Sequence, residues 1–220
     1  MTAESARAIA HYLLEVDAFG FRPDRPVTTP AGRATPVALA AGPLIAHPRL
    51  RRRLVAAAVD RLAEACGVEA FDVVAGAELR GLPLAAWLAD ALALPMIYVR
   101  KQPKGFGRNA AIEGRLAEGA RVLLVDDVAT DGGSKLAFAD ALRGAGGRVE
   151  HVLVVCAAAI WPERERALRE AGLALHPLTT WPDLARAARE RALLPADLLD
   201  ELDAYLSDPA AWEEGAAATG

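Results

Sequence analysis

The stretch Arg121-Val122-Leu123-Leu124-Val125-Asp126-Asp127-Val128-Ala129-Thr130-Asp131-Gly132-Gly133-Ser134 decides the fold of this chain. Its apolar first half is short and rich in β-branched residues, which is typical of a strand buried on both faces. Two carboxylates and a Gly-Gly turn follow, and residues 135–142 are helix-like in their apolar spacing. The stretch therefore predicts a strand, a loop and a helix in succession, the unit from which parallel sheets are built.

The loop in this unit has the chemistry of a sugar-phosphate site. Backbone N–H groups at a helix start favour phosphate, and Gly132-Gly133 would let the backbone approach it closely. Thr130 and Ser134 add hydroxyl donors. Asp126-Asp127 would repel a bare phosphate, which predicts that the acids meet sugar hydroxyls or a divalent cation that bridges to the ligand.

The acid pair followed by Thr130-Asp131-Gly132-Gly133-Ser134 resembles the phosphoribosyl pyrophosphate (PRPP) signature of type I phosphoribosyltransferases. In that family the acids hold the ribose hydroxyls and the loop holds the 5′-phosphate. The alternative for the motif alone is an ordinary turn between a strand and a helix. The resemblance implies that PRPP is bound by Asp126, Asp127, Val128, Ala129, Thr130, Asp131, Gly132, Gly133 and Ser134.

A second strand, loop and helix precede this unit. Residues 71–76 predict a buried strand, and a helix is expected from Leu82 to about Ala93. The family resemblance places a pyrophosphate-binding loop between them, with Arg80 as its basic side chain. A solvated surface charge is the alternative interpretation of Arg80.

A basic loop follows the next predicted strand, Met96-Ile97-Tyr98-Val99. Four cations lie within residues 100–108, interrupted by proline and glycine, which predicts a mobile loop able to close over a polyanion. It resembles the catalytic loop of orotate phosphoribosyltransferases. The resemblance implies that Arg100, Lys101 and Lys104 bind pyrophosphate, and that Lys101 and Lys104 act in catalysis together with Asp126 and Asp127. Phe106 stands where that loop often has His or Tyr, and a basic hairpin without function is the alternative.

Composition narrows the class of protein. The chain has 220 residues, 53% hydrophobic content and a net charge of −4, so we expect a sizeable core and no general nucleic-acid-binding or membrane surface. Cys66 and Cys156 stand in apolar surroundings without metal-ligand spacing, which predicts reduced cysteines in a cytoplasmic protein. The four histidines form no recognisable constellation, and no Gly-x-Ser-x-Gly motif supports a serine hydrolase.

A third strand–helix–strand unit ends in the buried strand 149–156, and such repetition predicts a parallel sheet with helices on both faces. The loops 76–81, 100–109 and 126–134 all follow strand ends, where such sheets bind ligands. The resemblance implies an α/β type I phosphoribosyltransferase fold: a twisted, mainly parallel sheet flanked by helices, with a small N-terminal hood and C-terminal helices. We expect one domain over residues 1–212, with 1–48 and parts of 157–206 as hood or edge elements, and a flexible tail at 213–220.

Outside these units the patterns predict a helix over residues 4–19 that stops at Gly20, and a loop or hairpin over 21–36. An amphipathic helix is expected over 49–65, and further helices near 183–192 and 195–206.

The acceptor side departs from the orotate family. Where those enzymes carry polar and basic residues, this chain has Thr29-Pro30-Ala31-Gly32, Ala40-Ala41-Gly42-Pro43 and Ala157-Ala158-Ala159. Because an orotate carboxylate needs a charged or multiply hydrogen-bonded partner, we expect orotate to be used poorly unless Arg33 supplies one.

The resemblance as a whole implies a Mg2+-dependent transfer of ribose 5-phosphate from PRPP to a nucleobase, with orotate first among the bases and pyrimidine biosynthesis as the setting. It also implies a homodimer with a shared active site, and Mg2+ bound mainly through PRPP, so that no protein ligand is assigned to the metal. A paralogue with another acceptor base and a non-catalytic PRPP or nucleotide sensor remain the alternatives; the basic loop favours an enzyme.

Overall fold

The computed structural model describes residues 3–29, 32–102 and 111–218. In chain order the helices and strands are α1 (Ala3–Glu15), β1 (Phe19–Phe21), β2 (Val27–Thr28), β3 (Ala34–Thr35), β4 (Val37–Leu39), α2 (Ala41–Ala46), α3 (Pro48–Ala65), β5 (Val73–Ala77), α4 (Gly81–Leu92), β6 (Met96–Val99), β7 (Ile112–Glu113), β8 (Arg121–Ala129), α5 (Gly133–Gly144), β9 (Arg148–Ala157), α6 (Pro162–Glu170), β10 (Ala174–Thr180), α7 (Trp181–Glu190), α8 (Ala196–Ser207) and α9 (Pro209–Ala218).

The central sheet has six strands in the order β10-β9-β8-β5-β6-β7. All neighbours are parallel except β7, which pairs antiparallel with β6 at the edge. The chain leaves β5 toward β6 on one side and then returns through β8 on the other. The connections therefore reverse between β5 and β8, and ligands of such sheets bind beyond the carboxyl ends of the strands at this reversal. The predicted α/β architecture is confirmed.

The core has two layers, one on each face of the sheet. Along β8, Leu123 and Val125 pack in the layer with α1, α3, α4 and α7, whereas Val122 and Leu124 pack in the layer with α5 and α6. All four side chains are at most 1% exposed. The strand is thus buried on both faces, as its continuous apolar sequence predicts.

The predicted hairpin at residues 21–36 is confirmed, since β2 and β3 pair antiparallel with Val27 opposite Thr35. The first helix is shorter than expected. It ends at Glu15, Asp17 takes a left-handed φ of 53°, and Phe19–Phe21 forms a strand paired with β4. A positive φ interrupts a right-handed helix, so the apolar spacing beyond residue 15 belongs to another element.

Residues 213–218, for which the sequence predicts a flexible tail, belong to helix α9; the flexibility of this segment stays a prediction. The start of α9 has an identifiable signal: the Asp208 carboxylate accepts a hydrogen bond from the Ala211 N–H at 3.1 Å, and Pro209 opens the helix. Alanine, the residue of highest helix propensity, then supports its continuation.

Within the described ranges, no helix has both the length and the apolar character needed to traverse a lipid bilayer.

Candidate functional site

The acid pair lies at the carboxyl end of β8, at the point where the strand order reverses. Asp126 and Asp127 are only 7% and 5% exposed. The Asp126 carboxylate accepts hydrogen bonds from the Lys135 ammonium at 2.6 Å and from the Asp127 N–H at 2.9 Å. Lys135 itself is 3% exposed, so the two residues form a buried ion pair that joins β8 to the first turn of α5. Asp126 is thereby held by the protein itself.

Asp127 has a different environment. Its Oδ1 accepts the Val128 N–H at 2.8 Å, whereas its Oδ2 is buried and has no hydrogen-bond partner among the described residues. The nearest cation is Arg80, whose guanidinium is 3.6 Å from Oδ2. Burial, together with the charge of Asp126, raises the pKa of Asp127 to about 6, although Lys135 and Arg80 oppose the shift. An unsatisfied buried carboxylate oxygen is costly, so Asp127 is prepared to accept hydrogen bonds from a ligand.

The loop after the acid pair is shaped by its own residues. The Asp131 carboxylate accepts the Gly133 N–H at 3.0 Å, and Gly132 takes a φ of +75° that favours glycine. Asp131 is 5% exposed, so its side chain organises the turn. Gly132, the N-cap of α5, has no side chain, and the Asp131 carboxylate already occupies the Gly133 N–H at the start of that helix. Any anion at this helix start would therefore use the N–H groups beyond Gly133.

The loop between β5 and α4 brings Arg80 to the acid pair. Helix α4 begins at Gly81, where an added Cβ would lie 2.9 Å from the Cα of Asp126. Only glycine therefore lets the helix start abut β8. The preceding Glu78–Leu79 peptide bond is cis. The Glu78 carboxylate accepts the Lys101 N–H at 2.9 Å, which ties this loop to the start of the basic loop.

The basic loop is described only at its two ends. The Arg100 guanidinium forms an ion pair at 3.2 Å with Glu113 on β7, and the Lys101 side chain is exposed. Arg100 is thus held at the edge of the sheet in this structure. Lys104 and Phe106 lie outside the described residues.

Arg33 lies at the start of α6, beside its N-cap residue Trp161. Its guanidinium is 5.7 Å from the ring centroid of Trp161 and 3.8 Å from the Glu163 carboxylate. The small residues Ala157–Ala159, which the sequence assigned to the acceptor base, end two residues before Trp161. Pro30 of that assignment lies outside the described residues.

The N-terminal hood also reaches this edge. Ala41, in the first turn of α2, lines a small cavity together with Arg80 and Asp127. Ala40, the N-cap of α2, forms no side-chain cap. Ala41 therefore lies near Arg80 and Asp127 but offers no polar side chain.

Sequence reasoning missed the role of Lys135. A signal was present, because a cation in the first turn of a helix opposes the helix dipole and so indicates a specific acidic partner. It also missed the pairing of His151 with His176, whose ring nitrogens are 2.9 Å apart, since residues this distant in sequence give no motif.

Comparison with known proteins gives one consistent result. The phosphoribosyl transferase domain family matches residues 49–172. Orotate phosphoribosyltransferase of Ruegeria sp. (strain TM1040) is 46% identical over 211 residues, which covers 96% of this chain and 93% of that protein. The crystal structure of orotate phosphoribosyltransferase from Aeropyrum pernix superposes with a TM-score of 0.67 at 28% identity, covering 85% of this chain and 99% of that one. The Mycobacterium tuberculosis orotate phosphoribosyltransferase in complex with PRPP shares the fold, with a TM-score of 0.61 at 24% identity over 82% of this chain and 98% of that one.

Proposed function

The chain belongs to the orotate phosphoribosyltransferases of the phosphoribosyl transferase family, and on this premise we propose that it joins PRPP and orotate to give orotidine 5′-phosphate and pyrophosphate. This is a pentosyl transfer in pyrimidine biosynthesis. The structural observation that carries the proposal is the buried Oδ2 of Asp127, which has no hydrogen-bond partner among the described residues and lies 3.6 Å from Arg80 at the carboxyl ends of β8 and β5. Such an oxygen can accept a hydrogen bond from a ribose hydroxyl, and the neighbouring guanidinium can pair with a phosphate charge.

In the proposed reaction a ring nitrogen of the base forms a bond to the anomeric carbon while the bond to the pyrophosphate oxygen breaks. Asp126 and Asp127 hold the ribose hydroxyls, and the backbone and hydroxyl groups of residues 128–134 hold the 5′-phosphate. Arg80, Arg100, Lys101 and Lys104 stabilise the charge that develops on the departing pyrophosphate. Such electrostatic stabilisation supplies most of the acceleration in a step with little protein proton transfer.

Lys135 has a positioning role in this proposal. By pairing with Asp126 it neutralises one of two adjacent carboxylates, and this lowers the repulsion that PRPP meets. Asp127 then provides the acceptor oxygen that remains unsatisfied.

The residues also fit Mg2+. A carboxylate oxygen without a hydrogen-bond partner, in a site that must accept a polyanion, is a ligand that this hard cation prefers. We propose that Mg2+ accompanies PRPP, is held mainly by PRPP oxygens, and partly neutralises the pyrophosphate when bound.

Calorimetric titration with PRPP tests the part of the proposed site that binds PRPP. We expect tight binding in millimolar Mg2+ and binding weaker by at least tenfold in chelator. Asp127→Asn, which removes one of the negative charges that PRPP meets, should reduce the difference, whereas Asp24→Asn, an exposed acid far along the chain from the motif, should not change it. Equal affinity in Mg2+ and in chelator would remove the cation from the proposal.

A specific observation supports a second candidate, a paralogue that prefers another base. The hood positions Ala40 and Ala41 and the turn Ala157–Ala159 offer no side-chain hydrogen bonds. A screen of bases monitored by pyrophosphate release distinguishes the two candidates. Turnover with orotate alone supports the first, turnover with another base supports the second, and PRPP binding without any turnover would indicate a sensor.

We also propose a homodimer with a shared active site, and a cytoplasmic location, which the two free cysteines support.

A further inference from the structure

A cluster of metal-ligating side chains lies far from the acid pair. Cys66 follows the last turn of α3, His151 is the fourth residue of β9, and His176 is the third residue of β10. Because β9 and β10 are parallel, the two histidines are near the amino ends of their strands. The acid pair, in contrast, lies at the carboxyl end of β8. The cluster is therefore separate from the proposed active site.

The geometry of the cluster fits one ion. One ligand atom from each of the three residues lies within 4.8 Å of the others. His151 Nδ1 and His176 Nε2 are 2.9 Å apart, and the two rings are stacked with centroids at 5.2 Å. Two nitrogens on a tetrahedral Zn2+ are about 3.3 Å apart, and a sulfur and a nitrogen about 3.5 Å, from the usual bond lengths. To bring all three ligand atoms within bonding distance of one Zn2+, the side chains would have to shift by roughly 1 Å.

The three ligands come from rigid elements, which fixes their positions before any ion arrives. Phe71 packs edge-on against the His151 ring at 5.5 Å. His176 is 5% exposed, and its Nδ1 has no hydrogen-bond partner within the described residues, so the contact with His151 satisfies only one of the two nitrogens of this buried imidazole. Cys66 and His151 are partly exposed, which leaves a path for the ion from solvent.

The neighbouring charges nearly balance. The Glu69 carboxylate folds over Gly67, where an added Cβ would lie 2.6 Å from its Oε1, and its charge acts on Cys66. Arg61 acts on both Cys66 and His176 with the opposite sign. A thiolate ligand adds one further negative charge, so a divalent cation would not be repelled by its surroundings.

We propose that Cys66, His151 and His176 bind Zn2+, with the fourth position open to water. A thiolate and two imidazoles are ligands of Zn2+ and its soft neighbours, and not of Mg2+ or Ca2+. The bound ion would join the end of α3 to β9 and β10 and so stabilise that end of the sheet. This inference goes beyond the proposed function and does not depend on it.

Titration of the full-length protein with Zn2+, after chelator treatment and dialysis, tests the site. We expect one equivalent with a dissociation constant below about 1 µM, and a Tm that rises as Zn2+ is added. Cys66→Ser and His151→Gln, both at partly exposed positions, should each weaken binding by thirtyfold or more. The matched controls Cys156→Ala and His47→Gln should bind Zn2+ as the original chain does.

Co2+ provides a second readout that does not depend on stability. Thiolate ligation gives an intense near-ultraviolet charge-transfer band, which should be present with the original chain and both controls and absent with Cys66→Ser. Binding that survives both Cys66→Ser and His151→Gln, or no binding below 100 µM, would overturn the proposal. Loss of Zn2+ binding only in an Asp126→Asn/Asp127→Asn variant would also overturn it, by assigning the ion to the other site.

Discussion

Two adjacent aspartates have unequal roles because their neighbours differ. Asp126 is paired with Lys135, whereas Asp127 keeps one oxygen without a hydrogen-bond partner among the described residues, so its charge is only partly compensated. A protein retains such an arrangement where function needs it, at a cost in stability. The cost should be measurable as a function of pH.

We predict that Asp127→Asn abolishes turnover and stabilises the protein at neutral pH. The pKa of Asp127 is raised from 3.8 to about 6, so its protonated form favours folding and that contribution is lost as the pH rises through 6. Because an amide is neutral at every pH, Asp127→Asn should raise the free energy of unfolding at neutral pH by up to ~3 kcal/mol. Thermal unfolding at pH 7.5 should give a Tm several degrees higher for the variant, and the difference should shrink toward pH 4. A difference that stays constant across this range would contradict the assignment.

Lys135→Met should destabilise the protein strongly, because it leaves the Asp126 carboxylate buried without its cation. Breaking a buried ion pair from one side costs about 3–5 kcal/mol. Urea unfolding measures this loss. The double variant Lys135→Met/Asp126→Asn should regain more than half of it, and Lys101→Met, at an exposed position, should stay within about 0.5 kcal/mol of the original chain. A mild effect of Lys135→Met would mean that the pair is solvated.

Arg33→Gln should weaken the use of orotate specifically. The Arg33 guanidinium lies 5.7 Å from the ring centroid of Trp161, which follows the segment Ala157–Ala159 by two residues in the chain. Losing one charged hydrogen bond costs about 1.5–3 kcal/mol. We expect the KM for orotate to rise about tenfold or more while the KM for PRPP is unchanged. Arg25→Gln, at an exposed position of the same hood, is the control. An unchanged KM for orotate would show that backbone groups meet the carboxylate instead.

At the scale of elements, local sequence patterns predicted four of the six strands of the sheet, β5, β6, β8 and β9, and missed β7 and β10. The apolar run 122–125 and the glycine at 81 specify β8 and the start of α4 because a buried strand and a close backbone approach each tolerate few residue types. Such patterns do not predict contacts between residues that are distant in sequence. The pairing of His151 with His176, and of Arg100 with Glu113, depends on which strands become neighbours, and spacing along the chain does not encode this.

The basic loop yields a prediction about rate. The Lys101 N–H donates a hydrogen bond to the Glu78 carboxylate, whereas the Lys101 side chain is exposed to solvent. We expect Lys101→Ala to lower kcat by about 10²–10³-fold, as removal of one group that stabilises transition-state charge does, without a change in Tm. Arg115→Ala, an exposed cation after β7, is the control and should retain full activity. Equal loss in both variants would indicate a general effect of charge.

At the scale of the whole molecule, the two ends of the sheet serve different purposes. The carboxyl ends of β5 and β8 gather the groups for a sugar phosphate, and the amino ends of β9 and β10 carry the cysteine and histidine cluster. The outer face of α3 contributes to neither. There Arg53 stacks over Tyr12 at 4.0 Å and Arg51 over Trp87 at 5.2 Å, which fixes cationic side chains along an ordered helical surface.

We predict that this molecule acts as a homodimer in which Lys101 of one protomer serves the acid pair of its partner. The Lys101 side chain is exposed, while its N–H is held by the Glu78 carboxylate, so the ammonium is available to a partner's site. Lys101→Ala and Asp126→Asn/Asp127→Asn should each be inactive alone. Mixed and re-equilibrated in equal amounts, they should form about half heterodimers, each with one intact site, and so recover roughly a quarter of the original activity per protomer. Light scattering at micromolar concentration should give twice the chain mass. A dimer whose mixed variants recover nothing would show that each site is completed within one chain, and a monomer would remove the shared site altogether.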